Sequence, residues 1–170
     1  MALTRLNNRS VSAVTELPSG VITASDVPAG SVIQVKQSLF GSADFQQSLT
    51  TGTTIYGSIN ITPSSSSNKI LAFASNHNER ATPNSGGSIT ASYYYFARIY
   101  RNSVEGPELD NANGHQFPQQ ARQYGMVQWL DSPNTTSQIS YSVKCSGGSN
   151  ISDVRWIFYN CQITLMEIKG

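Results

Sequence analysis

Apolar and polar positions alternate along most of this chain, in short bursts separated by turn residues. The clearest burst is residues 59–75, INITPSSSSNKILAFAS. An alternating segment runs into Pro63, four serines and Asn68 follow, and a second apolar run leaves at Ile70. Period-two alternation bounded by Pro, Ser and Asn predicts strand, turn, strand, a hairpin-like unit. The second run, residues 69–75, is apolar on both faces, with Ile70, Leu71, Ala72, Phe73 and Ala74 in succession. That pattern predicts an interior strand covered on both sides. One cover is an opposing sheet. The other is a long loop, the N-terminal arm or a second protomer. Exposure of both Leu71 and Phe73 in the isolated chain would point to another subunit.

The same signal recurs at residues 31–37, 53–61, 89–101, 121–130, 136–145, 151–158 and 159–168. Ile139, Tyr141, Val143 and Cys145 are expected to face inward, as are Cys161, Ile163 and Leu165, with Glu167 and Lys169 making the last strand's end wet. In 89–101, Tyr94, Phe96, Arg98 and Tyr100 share one face and Tyr93, Tyr95, Ala97 and Ile99 the other. Residues 39–52 read as a loop or irregular edge, and residues 76–88 and 102–120 as long polar loops that form the exposed surface. No segment reads as a convincing helix. About eight short strands with long crossings predict an all-β fold, an antiparallel β-sandwich of jelly-roll type.

Residues 1–28 differ from the rest. Leu3, Leu6, Val11, Val14 and Leu17 are scattered among polar residues together with Arg5 and Arg9. The segment lacks caps and good helix formers, and Leu17-Pro-Ser-Gly-Val-Ile22 weakly echoes the turn at Val27-Pro-Ala-Gly30. Alone it cannot bury its apolar residues. It reads as an extended N-terminal arm, 1–28, on a sandwich domain, 29–170. The arm either folds back on its own sandwich or anchors the chain to a partner.

The chain has 170 residues and a formal charge of +1, with only 12% charged residues. That length supports one self-sufficient core. The balanced charge predicts no nucleic-acid partner. There is no apolar leader at the N-terminus and no apolar run of the ~20 residues a spanning helix needs, so neither a signal peptide nor membrane insertion is expected. Cys145 and Cys161 lie in strand-like segments and read as buried, reduced thiols, with a disulfide the lesser alternative.

Four segments in order carry a resemblance: Val27-Pro-Ala-Gly-Ser-Val-Ile-Gln-Val35, Ile61-Thr-Pro-Ser-Ser-Ser-Ser-Asn-Lys-Ile-Leu71, Leu130-Asp-Ser-Pro-Asn-Thr-Thr-Ser137 with Tyr141, and Ile163-Thr-Leu-Met-Glu-Ile168. This series resembles a family of tailed-phage virion proteins, common in marine and cyanobacterial phages and usually called tail-fibre or structural proteins. Leu3-Thr-Arg-Leu-Asn-Asn-Arg-Ser-Val-Ser-Ala-Val14 is similar to the arm that often precedes that domain. The resemblance implies a β-sandwich on the virion, assembled in the host cytoplasm, with other virion proteins as partners. It implies a homo-oligomer, and a fibre subunit is expected to be trimeric. A capsid decoration protein stapling its neighbours is the alternative role, and a host-glycan-binding adhesin the third.

Candidate chemistry is sparse. His77 and His115 have no nucleophile or ligand partner at a meaningful spacing, and no GxSxG elbow occurs. Glu105, Glu108 and Asp110 cluster, but without calcium-loop order, and read as a solvated loop or as interchain ion pairs to Arg101 or Arg122. No enzyme, cofactor or metal is expected. The aromatics Tyr93, Tyr95, Tyr100 and Trp129 are the candidate exposed or interface residues. Loop cover, an oligomer interface and stacking on a host-surface glycan are their three possible fates.

Overall fold

The structure, a computed structural model, describes residues 26–45, 52, 54–83, 94–110, 122–149 and 154–170. Every regular element among them is a strand: β1 (Val32–Phe45), β2 (Thr54–Ile61), β3 (Lys69–Pro83), β4 (Tyr94–Arg101), β5 (Val104–Asp110), β6 (Arg122–Asp131), β7 (Ile139–Ser149) and β8 (Val154–Ile168). They form two four-stranded antiparallel sheets, ordered β1-β8-β3-β6 and β2-β7-β4-β5. β1 pairs with β8, β2 with β7, β3 with β6 and β4 with β5. These nested pairs make one long two-stranded ribbon. Lateral pairing of β3 with β8 and of β4 with β7 rolls the ribbon into two facing sheets. The chain is therefore a jelly-roll sandwich.

The expected class and strand number hold, but two differences in strand assignment offset each other. Residues 104–110, read as loop, form β5, and residues 151–158 and 159–168 belong to one strand from Val154. In β8, Asn160 sits at φ 51° beside a register shift opposite Gly41, a bulge that asparagine tolerates without breaking the strand. Residues 76–83 continue β3 and residues 39–45 continue β1, although both had read as loop. Polar side chains do not prevent a ladder when a long partner strand supplies the register, as β8 does for both.

The unit 59–75 is not a hairpin. β2 and β3 lie in different sheets, so the serine turn carries the chain across the sandwich. The hairpin between sequence neighbours is β4–β5, closed by Asn102 at φ 53° and Ser103. β3 does lie centrally, between β8 and β6.

The core is built from alternate residues. Ile70, Ala72 and Ala74 of β3 meet Ile163 and Leu165 of β8, and Ala97 and Ile99 of β4 and Ile139, Tyr141 and Val143 of β7 complete it. Small alanines opposite large aliphatics let the sheets interdigitate. Cys145 and Cys161 are buried thiols in this core. A Cβ on Gly106 would lie 2.5 Å from the Trp129 ring and 2.7 Å from the Ile99 carbonyl oxygen. Gly106→Ala is therefore expected to cost about 1–3 kcal/mol through overpacking, read from the urea midpoint.

Candidate functional site

Two buried carboxylates organise one end of the sandwich. Glu167, expected at a wet end, is fully buried at 0% exposure. Its carboxylate accepts hydrogen bonds from the Ser64 amide (2.7 Å) and hydroxyl (2.8 Å), from Asn68 Nδ2 (2.6 Å) and from Gln34 Nε2. Burial alone would raise its pKa, but the bonds from Asn68, Gln34 and Ser64 outweigh burial and hold it below the usual glutamate range. Asp131, also buried, accepts from the Tyr141 hydroxyl at 2.7 Å and from Arg101 Nη1 at 3.1–3.2 Å. Burial first, and then this bond, push the Tyr141 pKa upward.

Register places these groups on one inward row, Gln34–Glu167–Ile70–Asp131, across all four strands of the first sheet. The four segments behind the family resemblance therefore meet here. Gly30 N donates to the Lys169 carbonyl, Lys169 N to that of Ser31, and Gly170 N to Asn68 Oδ1. The serine turn is held by Glu167, and the Leu130–Ser137 segment delivers Asp131 to Tyr141. These residues tie the corners of the ribbon together.

The outer faces of the two sheets differ in kind. On the second sheet, Arg98 pairs with Glu105 and with Glu108, the latter at 2.7 Å. Ser146 Oγ donates to Glu108 at 2.9 Å, the Tyr100 hydroxyl to Glu105 at 3.2 Å, and Lys144 lies 5.1 Å from the Tyr100 ring. Hydrogen bonds from Arg98 and Ser146 lower the Glu108 pKa. Glu105 and Glu108 thus pair within the chain with Arg98, whereas Arg101 serves Asp131. This is a charged, self-paired, water-facing surface.

The outer face of the first sheet is uncharged over three rows. Val35–Met166–Leu71–Leu130 is apolar across all four strands, followed by Gln37–Thr164–Phe73–Gln128 and Leu39–Gln162–Ser75–Met126. Val35 is 55%, Leu39 70%, Met126 63% and Leu130 54% exposed, while Leu71 and Phe73 are half-buried. Its polar groups bond within the sheet: Gln37 Nε2 to Thr164 Oγ1 at 3.1 Å and Gln162 Nε2 to Ser75 Oγ at 3.0 Å. Covering this face removes apolar surface from water and orphans few donors. It is the candidate interface. Its sequence signal was the two-faced apolar run at 69–75.

Of the other candidates, Leu3, Arg5, Leu6, Arg9, Val11, Val14, Leu17, Tyr93 and His115 lie outside the described residues. Tyr95 pairs with Gly148 in the β4–β7 ladder. Tyr100 lies on the charged outer face of the second sheet. Trp129 points between the sheets, packed against the core and edge-on to Tyr141 at 6.1 Å. Among the described residues no group of three His, Cys, Asp or Glu could hold a metal ion.

No protein-family model and no curated protein sequence matches the chain. Among solved structures, it is similar to the infectious bursal disease virus VP2 subviral particle at 12% identity and a TM-score of 0.46, covering 81% of this chain and 33% of that one. The Gx strain of the same virus matches at 12% identity and a TM-score of 0.42, with the same coverage. The acid-stable capsid of Helicobacter pylori bacteriophage KHP30 matches at 11% identity and a TM-score of 0.30, covering 81% of this chain and 98% of that one. The chain spans about a third of the bursal disease virus chains it matches.

Proposed function

We propose that the protein is a non-enzymatic structural subunit of a phage virion, a tail-fibre or appendage component anchored through residues 1–28. The observation that carries this reading is the sidedness of the sandwich. One outer face is charged and internally paired, the other apolar and uncharged, as suits a subunit packed on one side and wetted on the other. The ordered set of four segments that resembles tailed-phage virion proteins supports the same reading. A second role, capsid decoration, is favoured by the strand order itself, since rolled ribbons of this kind recur in viral coat domains.

Immunogold labelling of purified particles tests the proposal. Label on the tail is expected. Label over the shell would select capsid decoration, and absence of the protein from purified particles would overturn the virion reading. A chain lacking residues 1–25 is expected to keep its thermal transition, because every strand of the sandwich is retained, as is the Val27 carbonyl that accepts from Lys169 Nζ. It is expected to disappear from particles. Retention at full copy number would overturn the anchoring role.

A further inference from the structure

We draw no further inference here: the strongest candidate, the cavity of about 260 Å³ at the serine-turn corner lined by Ile33, Ser64, Ser65, Ser67, Asn68 and Lys169, belongs to the site already described, its polar side chains being engaged with Glu167, with one another and with the Val27 carbonyl, so that it singles out no ligand.

Discussion

Glu167→Ala is expected to remove about 2–4 kcal/mol of folding stability, a large share of the 5–15 kcal/mol typical of a domain. The substitution leaves the Ser64 amide, Asn68 Nδ2 and Gln34 Nε2 without their common acceptor, and of these Asn68 is buried with no ready access to water. It also releases the serine turn that carries the chain between sheets. Urea denaturation should show a large fall in midpoint. A loss under 1 kcal/mol would mean that the turn holds without its anchor. Acid should act on the same site. The folded-state pKa of Glu167 lies below its unfolded value, so its contribution is complete above the ordinary glutamate value of about 4.3 and is lost as pH falls through the lower, folded value. Thermal unfolding between pH 7 and pH 3 should show this decline, with a shallower acid limb in Glu167→Gln.

Asp131→Ala is expected to cost about 3 kcal/mol, because it strands the fully buried Tyr141 hydroxyl and removes the partner of Arg101. Tyr141→Phe is expected to cost less, about 1.5–3 kcal/mol, since Asp131 keeps Arg101. The two substitutions share one hydrogen bond, so the double variant should lose clearly less than the sum. Additivity within about 0.3 kcal/mol would show that the 2.7 Å contact contributes nothing in solution.

Alternation along the chain made the core legible. Ile139, Tyr141, Val143 and Cys145 point inward as their spacing predicts, and so do Cys161, Ile163 and Leu165. The strand extensions were not legible, because residues 76–83 and 104–110 owe their conformation to partners distant in sequence or across a tight turn. Pattern also could not separate a hairpin from a sheet-crossing corner at the serine turn. That choice is made by pairings with β7 and β8, far along the chain, which put β2 and β3 in different sheets. Glu167 is in phase with Ile163 and Leu165, yet it reads in the sequence as part of a wet strand end. Its charge argued for solvent, and only the donors gathered by two other segments, Gln34 from one and Ser64 with Asn68 from the other, reverse that argument. The candidate interface was half legible. Leu71 and Phe73 marked a second covered face, but its breadth comes from Val35, Met166 and Leu130, which register alone aligns with them.

The nested ribbon sets the order in which this molecule can be finished. β1 pairs with β8 alone, and β8 also flanks β3. During synthesis the first strand therefore waits for the last, and roughly a hundred residues of intervening chain must be closed before that ladder forms. The broad apolar face cannot exist until Met166 is in place. A nascent chain thus presents no completed apolar face until the final strand is laid down.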